Sequence, residues 1–297
     1  MEQNQVKLLD FEQNPCEVMT LQDLEKTHRE NYPDGSPVGD IYHYQLMQTI
    51  LEAADSEGLY PELKEVFAVN NRHKRSPGVT ILPELVEKNG KGSLESHILR
   101  RVFANITLHG DFSNDERTYN IAVSYTQQGI LVGFGPFVYA CHNQTICRSE
   151  CLISNYSVRG FGRLESTQRD IKVLINNLRE RIHITKEEAF KEVEEVETLK
   201  QKQLMGIEID EFVGLLVRER VAAESEEEKI HMAGYAPLSS AHINSFVENL
   251  LVRGMYAGAS AYDILQGGTS YMKPGNIPFE NICPQSLALY TALKQFV

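Results

Sequence analysis

The stretch from Phe103 to Ile153 decides the fold. It reads FANITLHGD (103–111), TYNIAVSYTQQGILVGFGPFVYACHNQTIC (118–147) and RSECLI (148–153). Tyr119 to Tyr125 alternates apolar and polar residues, the period of a half-buried strand. Gln127-Gln-Gly129 reads as a tight turn into Ile130 to Phe134, so these two runs form a β-hairpin. Gly133-Phe-Gly-Pro136 reads as a further turn. Phe137–Cys141 and Thr145–Ile153 then supply two more short strands. Upstream, Glu65–Val69 and Ile98–Leu108 have the same character. Val79–Val86 is apolar but is broken by Pro83, which bars a long central strand there.

Beyond Gly162 the period changes from strand-like to helical. Gln168–Ile182 is amphipathic. Lys186–Leu204 is acidic and helical, with Thr185 as N-cap and Glu188 completing a capping box. Ile207–Ala223 follows, with Asp210 and Glu211 early and Arg218 and Arg220 late, as the helix dipole favours. Ser240–Arg253 starts from a Ser239 or Ser240 cap, Gly267 to Pro278 reads as loop, and Pro284–Phe296 as a last helix. At the other end, Leu21–Arg29 forms one short helix. A second, capped by Asp40, carries Ile41 to Ala54 at helical spacing.

Strands followed by helices, rather than alternating with them, predict an α+β protein. A central antiparallel β-sheet core is followed by a helical region. Residues 1–40 are a peripheral N-terminal segment, 41–162 a β-rich core domain with one leading helix, and 163–297 a helical region with a loop-rich C-terminal tail.

The 297 residues carry a formal net charge of -12. That weighs against direct nucleic-acid binding, whose affinity comes from cations on phosphates. It favours basic partner surfaces. No run of about 18 apolar residues occurs, so no membrane span is expected. The N-terminus lacks the basic and apolar regions of a secretory signal. Five cysteines, an odd count, read as thiols in a reducing cytoplasm.

Four groups of side chains are candidates for a site. Cys141, His142, Cys147 and Cys151 cluster, but five and three residues separate the cysteines, not the close pairs of a structural zinc site. Neighbours such as Cys141 and His142 point to opposite faces of a strand, which disfavours a nucleophilic pair. We therefore expect buried thiols, and no metal, cofactor or catalytic residue. The loop Arg72-His-Lys74-Arg75 is a local basic reversal suited to phosphate or to an acidic protein face. The acidic helices, with Glu192 and Glu195 among their carboxylates, read as a solvated face or as a surface docking on a basic groove. Tyr256, Tyr262 and Tyr271 in the tail fit a protein interface, where tyrosine is enriched, or a core. Phosphate-loop, dinucleotide and nucleophile-elbow motifs do not occur.

Val69-Asn-Asn-Arg72, Tyr139-Ala-Cys-His-Asn143 and Leu289-Tyr-Thr-Ala292 occur in an order that resembles a group of uncharacterised phage, plasmid and mobile-element proteins. Those proteins have a β-core ending in Cys-x-Asn. The resemblance spans residues 60–220, its closing segment departs from the group's N-x-x-T, and it implies no chemistry. In length, acidity and lack of catalytic motifs the chain is also similar to phage counter-defence proteins such as the Gabija anti-defence inhibitor. That similarity implies a non-enzymatic homo-oligomer in the host bacterial cytoplasm. It would bind a host defence complex of nuclease type and block its access to DNA. The alternatives are a DNA-associated recombination or replication accessory using the basic loop, and a metal or thiol enzyme at Cys141.

Overall fold

The computed structural model describes residues 16–31, 43–70, 99–126, 129–139, 142–154, 164–224, 237–274, 277 and 279–297. The Asp40 cap, the basic loop with Arg72, Lys74 and Arg75, the Val79–Val86 run, the turn at 127–128 and Cys141 lie outside them. The protein is α+β. A seven-stranded antiparallel sheet curls into a half-barrel, with helices against both faces.

The strands are β1 (Cys16–Met19), β2 (Pro61–Asn70), β3 (Leu99–Leu108), β4 (Arg117–Thr126), β5 (Gly129–Val138), β6 (Asn143–Gln144) and β7 (Arg148–Ser154). They pair in chain order from β1 to β5. Then β6 and β7 share one edge of β5, β6 at Phe137–Val138 and β7 at Gly129–Phe134. The expected hairpin is β4–β5, in register from Arg117 opposite Val138 to Thr126 opposite Gly129. Cys16–Met19 join the sheet as well, since β1 runs antiparallel to β2, Cys16 opposite Val69.

Two expectations fail in the sheet. The alternation in β4 predicts one wet face, yet Asn120 and Ser124 are as buried as Tyr119, Ile121 and Val123. Helices cover both sides. The segment Gly133 to Pro136 is not a turn but the middle of β5. Its glycines are there for close approach. A Cβ on Gly135 would lie 1.7 Å from the Thr145 carbonyl oxygen, and one on Gly133 would lie 2.9 Å from Cys283 Sγ. Small residues inside a strand often mark such contact.

The helices are α1 (Leu21–Asn31), α2 (His43–Ser56), α3 (Leu164–Thr198), α4 (Gly206–Glu224), α5 (Ser240–Val252), α6 (Ala261–Thr269) and α7 (Phe279–Leu293), with a short ladder β8 (Gln203–Leu204) to β9 (Ala259–Ser260). Their starts obey local chemistry. Thr20 and Asp23 cap α1 reciprocally, at 2.8 and 3.2 Å. Glu208 accepts from Met205 N–H at 2.9 Å, Ser239 from His242 N–H at 3.3 Å, and Ser260 from Asp263 N–H at 3.0 Å. Each satisfies an orphan donor of the first turn.

The two helices expected on either side of Thr185 are one, α3, 35 residues long, or about 52 Å. Thr185 does not cap it. Its hydroxyl donates to the Arg181 carbonyl 2.8 Å away, one turn back. The helix stops at Thr198, so residues 199–204 are turn and strand. The tail expected as loop holds α6, which keeps Gly267 and Gly268 inside it. Leu289 of α7 sits where a Cβ on Gly268 would be, 2.4 Å away, so helix packing explains that glycine. Pro284 lies within α7, which starts at Phe279 rather than at the proline.

Two apolar cores result. One face of the sheet gives Val102, Ile106, Ile121, Val123 and Phe134 to a core completed by Leu24, Met47, Ile50, Leu178 and Ile182 of α1, α2 and α3. The other face gives Phe103 and Ala122 to a core of α4 to α7, with Phe212, Phe246 and Leu289. Among the described residues no helix is long and apolar enough to cross a membrane.

Candidate functional site

Chemistry-bearing side chains gather where α3 crosses the sheet. Arg148 opens β7 opposite Phe134 and lays its guanidinium over that ring at 4.7 Å. From there it reaches three positions on one face of α3. Its Nη2 donates to Thr185 Oγ1 at 2.8 Å, its Nη1 pairs with Glu188 at 3.0 Å, and its Nε lies 3.1 Å from Glu192. The Nε–H is not aimed at the carboxylate, so that last contact is charge pairing rather than a hydrogen bond. The Tyr119 hydroxyl donates to the other Glu192 oxygen.

One turn along α3, Glu195 accepts from Tyr290 at 3.1 Å and from Lys294 Nζ at 3.0 Å. Tyr290 is also hydrogen-bonded to Cys147. Near the end of the helix, Glu197 pairs with Arg117, only 1% exposed, and with Lys200 at 3.0 Å. Arg117 and Lys200 both stack over Tyr262, at 5.3 and 5.2 Å. A row of ionic and phenolic groups therefore fastens α3 to β4, β7, α6 and α7.

Burial sets the protonation of this row. It pushes the Tyr119 phenol and the Cys147 thiol well up, and the Glu192 charge adds to both shifts. Tyr290 is raised for the same first reason, with Cys147 and Glu195 adding to it. Burial raises Glu192 too, against the opposing pull of Tyr119 and Arg148. At Glu195 burial also works upward, but the Lys294 hydrogen bond and charge outweigh it and the carboxyl falls below its ordinary value. The thiolate is the reactive form of cysteine, so Cys147 is held in its unreactive form. Cys283, buried beneath β5, is pushed up to about 12.

These shifts predict alkaline lability. A phenol or thiol whose folded value is raised lends stability that is complete below its unfolded value and is lost as pH rises through the folded value. Unfolded thiols titrate from about 9 and phenols from about 10. Stability should therefore fall above about pH 9, by roughly 1.4 kcal/mol per pH unit for each group in its window. Urea midpoints measured from pH 7 to 11 check this. Tyr119→Phe with Tyr290→Phe should flatten the profile, and an unchanged slope would refute the assignment.

The residues singled out from sequence are spread over this architecture. Glu192 and Glu195 turn inward and spend their carboxylates within the chain. Among the described side chains of α3, the outward acids are Glu180, Glu187 and Glu194. Tyr262 lies under Arg117 and Lys200. The Tyr271 hydroxyl accepts from Asn249 at 3.1 Å, and Tyr256 packs half-buried against the second core. His142 is exposed, its ring 5.8 Å from Phe137. At the end of the sheet a smaller polar set joins Glu62 to His109 at 3.2 Å and His109 to Tyr139 at 3.4 Å.

Among the described residues no group of three or more His, Cys, Asp or Glu side chains could hold a metal ion. Sequence reasoning missed Arg117, Tyr119, Arg148, Tyr290 and Lys294. The available signal was phase. Arg117 stands two residues before Tyr119 and four before Ile121, on the apolar face of β4, where an arginine needs a buried acid. Glu197 of α3 supplies it for Arg117, as Glu188 and Glu192, one turn apart on the same helix, do for Arg148.

No protein-family model, curated protein or solved structure matches the chain.

Proposed function

We propose that this chain is a non-catalytic, protein-binding factor of a phage or mobile element. It acts in the host bacterial cytoplasm by occupying a host anti-phage defence complex of nuclease type and blocking its access to DNA. The observation that carries the reading is the outer face of α3. Glu180, Glu187 and Glu194 are all exposed there at seven-residue intervals, a repeat of about 10.5 Å along the helix. The inner acids of the same helix anchor it to the sheet, so the outer row is held at fixed spacing. In a chain of net charge -12, a rigid acidic row suits a basic groove that otherwise receives a nucleic-acid backbone. Phe190, half exposed beside the row, adds an apolar contact of the kind that anchors interfaces.

Tagged protein captured from bacteria carrying such a defence system tests this. A stoichiometric nuclease-type complex is expected with wild type. It should be lost with Glu180→Lys, Glu187→Lys and Glu194→Lys combined. Failure to recover a complex, or its retention by the triple variant, would overturn the reading. Co-elution with nucleic acid that is salt-sensitive and lost on Arg72→Ala with Arg75→Ala would replace it by the DNA-accessory function.

A further inference from the structure

Helix α4 is apolar on both sides. Ile209, Phe212 and Leu216 are buried in the second core. On the opposite side Ile207, Val217 and Val221 are 76%, 44% and 61% exposed. Together with Gly214 they stand at positions 207, 214, 217 and 221, intervals of seven, three and four that fall on one stripe of a helix. A helix that only covers a core has no need of that second stripe. Of the ten large apolar side chains exposed among the described residues, six lie on or beside α4: these three, Met205, and Leu251 and Val252 at the end of α5. That end leads into a 3-10 turn at Met255–Ala257, whose Tyr256 carbonyl packs on Gly206 at the start of α4. The apolar exposure is thus concentrated at one place on the molecule, which is what marks an interaction surface.

The charges along the stripe indicate what covers it. Asp210 and Glu211 are exposed in the first half of α4 and Arg218 in the second. Gly214 sits midway between Ile207 and Val221, and also midway between Asp210 and Arg218. A Cβ built there would meet only the Arg218 guanidinium, at 3.5 Å. A second α4 laid antiparallel across Gly214 on a two-fold axis therefore sets Ile207 against Val221 of the other copy. It sets Asp210 against the other copy's Arg218. Every contact is then made twice, as an isologous interface requires. The glycine lets the two backbones approach closely at the crossing, and the opposed helix dipoles favour the antiparallel sense. The tail tyrosines Tyr256, Tyr262 and Tyr271, which fit either an interface or a core from sequence, are half-buried within the chain.

We propose that α4 is the homodimer interface of this protein, with a second copy of the chain packed antiparallel across Gly214. This assembly does not depend on the defence partner proposed above, since it uses a different helix and different charges.

The test is the solution mass of the full chain, by light scattering after gel filtration, at protein concentrations up to roughly 100 μM. Wild type is expected at twice the 33.7 kDa chain mass. Val217→Glu with Val221→Glu should halve that mass while leaving the circular dichroism unchanged, because both side chains are exposed. Asp210→Arg alone should also give monomer by facing Arg218 with a like charge. Adding Arg218→Asp should restore the dimer. A monomeric wild type would overturn the proposal. So would a Val217→Glu, Val221→Glu protein that stays dimeric, or a charge-reversed pair that fails to recover the wild-type mass.

Discussion

Gly135→Ala is expected to destabilise the protein by more than about 3 kcal/mol, beyond the usual range for an added methyl. The cause is what the methyl would strike. It would come within 1.7 Å of the Thr145 carbonyl oxygen and 3.0 Å of the Cys147 amide nitrogen, both backbone atoms. A side chain can rotate away, but this backbone is pinned on either side of the contact. Thr145 N–H donates to the Pro136 carbonyl at 3.0 Å, and Cys147 N–H to the Phe134 carbonyl at 2.9 Å. Relief therefore requires breaking the pairing of 143–147 with β5. Gly133→Ala provides the control. Its methyl would meet the Cys283 thiol and the tip of Ile146 at 2.9 Å, side-chain atoms that can shift, so the cost should stay within about 1–3 kcal/mol. Urea midpoints of the two variants and wild type decide the matter. A Gly135→Ala protein as stable as Gly133→Ala would show that the segment does not cross β5 at that glycine.

The same glycine shows which parts of the fold were legible in the sequence. The class, the strands β2 to β5, and the helices α1, α4 and α5 follow from periodicity and capping residues, which act over a few neighbours. Gly133 to Pro136 reads locally as a turn. It is a strand because a distant segment needs the space its missing side chains leave. Gly267-Gly268 reads as loop and is helix for the same reason, with Leu289 packed where a side chain would be. Thr185 followed by Glu188 satisfies the local rule for a helix start. Both are instead drawn to Arg148, 37 residues before Thr185, and α3 runs through. Local rules fail here at tertiary contacts, because a tertiary partner can outweigh a propensity worth less than about 1 kcal/mol.

The candidate site divides in the same way. The acids of α3 were visible as a charged run, but a run does not tell inner from outer carboxylates. That distinction depends on which arginines the sheet brings beneath the helix. Arg117 and Arg148 are separated from their acids by tens of residues, so only the register of β4, β5 and β7 sets them under α3. The exposed stripe of α4 was missed for a related reason. The helix is apolar on two sides, and only its packing shows which of them the core consumes.

Arg148→Met should be the most damaging single change in that ionic row, at about 3–5 kcal/mol near neutral pH. Arg148 is 19% exposed and Glu192 13%. Removing the cation leaves Glu192 desolvated, with the Tyr119 hydroxyl and a like-charged Glu188 beside it. The size of the loss should depend on pH, with a sign fixed by Glu192. Its carboxyl is already raised by burial, and without Arg148 it rises further. A carboxyl raised in the folded state gives stability that is present below its unfolded value and lost as pH climbs through the folded value. The variant should therefore lose stability relative to wild type as pH rises above about 4.5, the carboxyl's ordinary value. Replacing the whole set by Arg148→Met, Glu192→Leu and Tyr119→Phe should recover most of the loss, since no buried polar atom is then left without its partner. Thermal and urea unfolding of the single and triple variants measure both effects. A single variant within about 1 kcal/mol of wild type would place the contact among solvent-screened surface pairs. The triple variant also bears on function. It keeps the outer acids but swaps the charged anchor of α3 for an apolar one. If rigid spacing of Glu180, Glu187 and Glu194 is what a basic partner reads, the triple variant should bind as wild type does. Arg148→Met alone, with α3 loosened, should bind more weakly.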